Sequence, residues 1–212
     1  MLASPVIPNV ELKTLKNGKT VLFLMATAAE YLTNLKKIIV PSIIGVGPVE
    51  AALNTALILT SVKTLPDFVV LLGSSGSATL PQGEVFQASS IAYRDMDASP
   101  LGFEKGQTPF LEQPAVINMT NLVDGIDHAS LSTGADIVLT KSFEHIEQDM
   151  VDMESYAVLR LCQAFSVPLI VLRGISDGPE ELKVYEDWTR LLPTVDKNLF
   201  KALRVVLAKI GA

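Results

Sequence analysis

Val151-Asp-Met-Glu-Ser-Tyr-Ala157 and, further along, Pro168-Leu-Ile-Val-Leu-Arg-Gly-Ile-Ser-Asp177 decide how this chain is read. In the first stretch acidic residues precede an apolar helical pattern, with Met153, Tyr156, Ala157, Leu161, Cys162 and Phe165 near one stripe. In the second, Pro168–Leu172 is an unbroken apolar run, which predicts a strand covered on both faces. That strand delivers Ser176 and Asp177 at its carboxyl end, where open α/β sheets bind their ligands. Glu154, at the start of the preceding helix, can share that rim.

The same alternation extends outward in both directions. Val10–Leu15, the turn signal Asn17-Gly18 and the apolar run Thr20–Met25 predict a hairpin. Ala28–Lys37 has helical composition, with Glu30 near its first turn, and Ile38–Gly45 reads as extended chain ending at Gly45-Val-Gly47. Pro48 suits the first position of a helix running through Leu59. A strand over Phe68–Leu72 leads into Gly73-Ser-Ser-Gly-Ser77, and Gly83–Tyr93 is strand-like again. Asp, Gly and Pro residues mark Arg94–Gln113 as a long loop, and loops of that length tend to be functional. Ser130–Gly134 and Ile137–Leu139 predict strands flanking a turn. Pro179–Leu192 is a polar, partly helical excursion, and Thr194–Ile210 an amphipathic helix with Leu199, Leu203, Val206 and Ile210 on one side. Strand and helix alternating throughout predict a single layered α/β domain over residues 1–212, with residues 1–19 as an arm or hairpin.

Bulk properties remove several classes of function. A net charge of −6 leaves no electrostatic footprint for nucleic acid or an anionic membrane. Hydrophobic residues make up 49%, yet Pro, Gly, Asn and Ser interrupt every run before it reaches the roughly 18 residues of a membrane span. A sheet covered on both faces, plus apolar surface hidden in an oligomer, accounts for that content. Cys162 is the lone cysteine and no secretion signal opens the chain, so a cytoplasmic protein is expected. His128 and His145 are too isolated to point to a metal. Neither glycine stretch has the spacing of a dinucleotide or phosphate loop, and no cofactor is expected.

Each local signal also has an ordinary reading. Glycines at 45–47 and 73–76 suit tight turns as well as a close backbone approach to a ligand. Asp152, Glu154 and Glu30 suit helix N-termini, and Asp177 can cap a helix starting near Pro179. Trp188 reads as packing rather than base stacking.

Taken together, Gly45-Val-Gly-Pro-Val-Glu-Ala-Ala52, Gly73-Ser-Ser-Gly76, Val151-Asp-Met-Glu154 and Arg173-Gly-Ile-Ser-Asp177 resemble the purine nucleoside phosphorylase/uridine phosphorylase superfamily. Within it the chain is most similar to the 5′-methylthioadenosine/S-adenosylhomocysteine nucleosidases, over a family core of residues 20–207. The resemblance implies a three-layer αβα sandwich with a mixed central sheet, a homodimer, and a purine nucleoside as small-molecule substrate. It implies Asp177 as the general acid at adenine N7, oriented by Ser176. Glu154 then holds the ribose hydroxyls with Met153 under the sugar, and Glu30 positions or deprotonates the attacking water. Ser74, Ser75 and Gly76 line the sugar and water side, and Arg173 supports the carboxylates. Phe103 falls near an aromatic that a partner subunit contributes to the 5′-substituent pocket.

Two departures from the family pattern bear on function. Gly134-Ala-Asp-Ile-Val138 puts Ile137, beside Val138, where the nucleosidases carry the aromatic that stacks on adenine. Leu71 stands where the phosphorylases carry a phosphate-holding arginine, with no other arginine evident nearby, so water is the expected nucleophile. The alternatives are a phosphate-dependent phosphorylase, a hydrolase of another purine nucleoside, and a non-catalytic nucleoside-binding protein.

Overall fold

A computed structural model of the chain describes residues 9–178 and 182–212. Apolar runs form the strands Leu12–Thr14 (β1), Thr20–Met25 (β2), Ser42–Ile43 (β3), Phe68–Gly76 (β4) and Val85–Tyr93 (β5). Val116–Asn118 (β6), His128–Thr133 (β7), Met150–Asp152 (β8) and Leu169–Asp177 (β9) follow. The helices are Pro48–Ser61 (α1), Ser155–Ala164 (α2), Tyr185–Thr189 (α3) and Leu192–Ile210 (α4). All nine strands belong to one mixed sheet. β4 lies parallel to β2 on one side and to β9 on the other. β9 then pairs antiparallel with β5, β5 parallel with β7, and β7 parallel with β8. β8 returns to β4 where Val151 faces Gly76, so β4, β9, β5, β7 and β8 form a closed circuit of pairings.

Strand alternation sends side chains to two cores. Leu22, Leu24, Val69 and Leu71 pack on one face with Ile58 of α1 and Tyr156 and Cys162 of α2. Val21, Phe23, Val70 and Leu72 pack on the other with Leu199, Leu203, Val206 and Ile210 of α4. Helices therefore cover both faces, which makes the three-layer αβα arrangement and explains why Val69–Leu72 of β4 and Leu169–Leu172 of β9 are apolar on both faces. Among the described residues no helix is long and apolar enough to cross a membrane.

Four local expectations are corrected. Ala28–Lys37 is not one helix but two short 3₁₀ turns, Ala28–Glu30 and Leu35–Lys37. The carboxylate of Asp196 on α4 accepts from Asn34 N and Asn34 Nδ2 at 2.8 Å and from Leu35 N at 3.1 Å, so a tertiary partner replaces helical bonds there. Gly73–Gly76 is not a turn: β4 continues through it because β9 offers a parallel partner at Gly73, Ser74 and Ser75. Ile137–Leu139 forms no strand, and the extended chain of 38–45 keeps only β3 as strand. Residues 1–8 of the expected arm and 179–181 of the polar excursion lie outside the described residues, and with 179–181 lies the expectation that Asp177 caps a helix there.

Removing the Leu199 side chain with Leu199→Ala, in a fully buried stripe, is expected to cost about 2–5 kcal/mol in urea unfolding. The neighbouring, 39% exposed Val205→Ala is expected to stay within about 0.5 kcal/mol of the parent.

Candidate active site

The carboxyl ends of the circuit converge on a cavity of about 430 Å³, within the usual size of a small-molecule pocket. Its wall takes Ala26 and Thr27 from just past β2, Ser74–Gly76 from β4 and Arg94 from just past β5. Asp136, Ile137 and Val138 follow β7; Val151, Asp152, Met153 and Glu154 come from the end of β8, and Asp177 from the end of β9. Leu182–Tyr185 and Trp188 close one side. Glu30, Glu154 and Asp177, distant in sequence, thus share one cavity.

Asp177 reaches the wall because residue 76 is a glycine: a Cβ there would sit 2.6 Å from Asp177 Oδ2. The Ser176 hydroxyl donates to Asp177 Oδ1 at 2.5 Å, which leaves Oδ2 as the oxygen beside Gly76. Burial raises the Asp177 carboxyl above its ordinary value, against the Ser176 hydrogen bond.

Glu30 is buried at the end of its 3₁₀ turn, and its Oε1 accepts from both the backbone N–H and the hydroxyl of Ser74 at 2.6 Å. Its Oε2 is buried and has no hydrogen-bond partner among the described residues. Burial raises this carboxyl too, with Ser74 and Arg173 opposing. Gly73 makes the packing possible, since a Cβ there would collide with the Arg173 guanidinium beside Glu30.

Glu154 sits just ahead of α2. Gly47 N–H donates to its Oε1 at 3.1 Å, and Arg173 Nη2 lies 3.4 Å from its Oε2. Burial pushes the Glu154 carboxyl up to about 7, with Arg173 pulling it down and Asp152 pushing it up. Arg173 itself is 1% exposed, ion-paired to Asp152 and hydrogen-bonded to Ser155 Oγ at 3.1 Å. Those carboxylates hold its guanidinium above the ordinary value although burial works the other way.

The residues expected from sequence fall into three groups. Glu30, Ser74, Ser75, Gly76, Ile137, Val138, Met153, Glu154 and Asp177 line the cavity. Arg173 and Ser176 stand behind the wall and act on it through their neighbours. Phe103 is not on this chain's wall and packs edge-on against Phe110 at 5.7 Å. Ile137, in the position of the usual aromatic, is 63% exposed at the cavity.

Asp152, Trp188 and Arg94 are among the cavity residues that sequence reasoning did not assign to the site. Asp152 does cap α2, accepting from Ser155 N at 3.0 Å, but it also pairs with Arg173 and accepts from Thr133 Oγ1 at 2.6 Å. Its place two residues before Glu154 was the available signal. Trp188 lines the cavity rather than merely packing, and its indole N–H donates to Ser74 Oγ at 3.0 Å; nothing local in the sequence marked it. The expectation of no nearby arginine is corrected by Arg94, which the strand-end rule could have found. Its Nη1 donates to Ser132 O and Asp152 O, and its Nη2 to Asp136 O and Oδ1, all within 3.0 Å.

Comparison with known proteins bears on the family and the fold. A family model described as the phosphorylase superfamily matches residues 132–208. The chain is 32% identical to the 5′-methylthioadenosine/S-adenosylhomocysteine nucleosidase of Glaesserella parasuis, over 79% of this chain and 78% of that protein. The nucleosidase of the same name from Neisseria meningitidis, solved in complex with methylthio-immucillin-A, superposes with a TM-score of 0.73 at 22% identity, covering 89% of this chain and 98% of that one. A futalosine hydrolase mutant of Helicobacter pylori gives a TM-score of 0.77 at 19% identity, with the same coverages. At those identities the two structures speak for the fold alone.

Gly76→Ala is expected to displace the Asp177 carboxyl and, with Asp177 as the acid that the sequence resemblance implies, to lower turnover at least about 10²-fold with the circular dichroism spectrum retained. Glu154 also sets a pH dependence of stability. Its folded value, about 7, lies above the 4.5 of an ordinary glutamate, so the folded chain binds more protons between those values. This group's contribution is complete below about 4.5 and is lost as pH rises through about 7. Denaturation at stepped pH is expected to show a shallower fall over that window in Glu154→Gln than in the parent.

Proposed function

The chain belongs to the 5′-methylthioadenosine/S-adenosylhomocysteine nucleosidase family, and from that premise we propose that it hydrolyses the N-glycosidic bond of those nucleosides and releases adenine. One observation carries the reading: three carboxylates, buried Glu30 and Glu154 and half-buried Asp177, line a single cavity, each raised by desolvation. Breaking an N-glycoside develops positive charge on the ribose and negative charge on the purine. The transition state therefore needs a proton donor at the base and anionic groups near the sugar. Asp177, raised by burial, stays protonated to higher pH than an exposed aspartate, and among the described residues no hydrogen bond occupies its Oδ2. It gives its proton to N7 as the C1′–N9 bond breaks. Water adds its oxygen to C1′, and its proton passes to Glu30, whose Oε2 is the unpartnered oxygen. Glu154 accepts the ribose hydroxyls, and their hydrogen bonds favour its ionised form beneath the developing cation.

Water rather than phosphate is the nucleophile in this reading. Leu71 is buried in an apolar core, Arg94 already donates to four oxygens and Arg173 is committed to carboxylates. Ile137 and Val138 form an aliphatic wall for the base in place of an aromatic. We place Phe103 of a partner subunit at the 5′-substituent. A homodimer is supported by exposed apolar side chains: Val46 and Ile137 at the cavity are 53% and 63% exposed, and Val49 and Leu53 of α1 are 76% and 53% exposed. The buried thiol of Cys162 is compatible with the cytoplasm.

The test is free-base release from 5′-methylthioadenosine, S-adenosylhomocysteine, adenosine and inosine, each with and without phosphate. Adenine release from the first two, unchanged by phosphate, is expected, with a loss of about 10²–10⁴ in Asp177→Asn. Strict phosphate dependence would establish a phosphorylase, and binding without release a nucleoside-binding protein.

A further inference from the structure

Trp188 stands on α3, a short helix that follows the segment closing one side of the cavity. Tyr185 packs edge-on against it at 5.4 Å, which restrains the indole ring. The indole N–H points at Ser74 Oγ, 3.0 Å away, and that oxygen is itself 2.6 Å from Glu30 Oε1. We propose that Trp188 is a positioning residue for hydrolysis: by occupying a lone pair of Ser74 Oγ, it commits the serine proton to Glu30 and so fixes the carboxylate that activates water. The proposal rests on Glu30 serving as the base, and it extends that role to a residue on a different element.

The argument is one of hydrogen-bond inventory. An indole N–H can only donate, so Ser74 cannot turn its proton toward Trp188. A serine hydroxyl has a single proton, and with the indole accepted on one side the remaining close acceptor is Glu30 Oε1. That oxygen also receives the Ser74 backbone N–H, so Oε1 carries both bonds and Oε2 is left for water. Without the indole the hydroxyl can rotate, and Glu30 keeps only the backbone donor for part of the time.

The groups facing Glu30 come from every element around it: Ser74 on β4, Asp152 on β8, Glu154 ahead of α2, Arg173 on β9 and Trp188 on α3. Arg173 and the two Ser74 bonds favour the ionised carboxylate, and burial with Asp152 opposes it. Weakening the Ser74 hydroxyl bond therefore shifts Glu30 toward the protonated, inactive form.

Trp188→Phe in the full chain keeps an aromatic ring and deletes the donor. It is expected to lower kcat for 5′-methylthioadenosine roughly 3- to 10-fold, the size of one hydrogen bond, with KM changed less than about 2-fold. The acid limb of the kcat–pH profile should move to higher pH. Ser74→Ala, which removes the middle of the chain and leaves the indole in place, should shift that limb in the same direction. Adding Trp188→Phe to Ser74→Ala should then cost nothing further, since the two act through one path. An unmoved acid limb in either single variant, equal costs of Trp188→Phe in both backgrounds, or an effect confined to KM would overturn the proposal. Glu30→Gln separates its failure from that of the underlying reading: wild-type turnover there would remove Glu30 as the base and the positioning role with it.

Discussion

One buried guanidinium holds the site together. Arg173 is 1% exposed, ion-paired to Asp152 and Glu154, and close enough to Glu30 to influence its ionisation. A buried cation with anionic partners is a strong constraint, because removing one member of such a group typically costs about 3–5 kcal/mol in uncompensated charge. Here one cation answers three carboxylates. Burial leaves Glu30 and Glu154 easier to protonate than exposed acids, with Arg173 opposing it, while the arginine stays charged. It also dictates the backbone beside it: residue 73 has to be glycine, because a side chain would occupy the guanidinium's space.

The same strand that buries Arg173 ends in Asp177. Pairing of β9 with β4 sets Ser74 opposite Gly174 and, after a register shift at Ser75, Gly76 opposite Asp177, so the hydroxyl that binds Glu30 and the glycine that admits Asp177 arrive on one strand. Environment then separates the two aspartates. Asp152 has Arg173, Thr133 and Ser155 as donors, whereas Asp177 has only Ser176 among the described residues and is raised by burial. One aspartate is committed to an ion pair with Arg173 and the other faces the cavity with its carboxyl raised by burial, the setting the proposed proton transfer requires.

Periodicity was enough to find the apolar strands and α4, because Val69–Leu72, Leu169–Leu172 and the Leu199–Ile210 stripe owe their burial to patterns local to the chain. It failed where a remote partner takes over the backbone. Asp196 splits the segment around Asn34 into two turns, and β9 straightens Gly73–Gly76 into strand. The three carboxylates stood out through motif resemblance, and the cavity gathers them. Arg94 and Trp188 did not, since their partners lie 42 and 114 residues away in sequence.

Amino-acid order alone determined that strands and helices alternate, which faces of them are apolar, and that acids and glycines recur at predicted strand ends. Those features are set by side-chain hydrophobicity and by backbone preference within a few residues. Tertiary structure alone decided which acids share a cavity, which of them pair with the guanidinium, and which serine proton reaches Glu30. Burial and hydrogen-bond direction depend on groups brought together from far along the chain, and no local pattern encodes them.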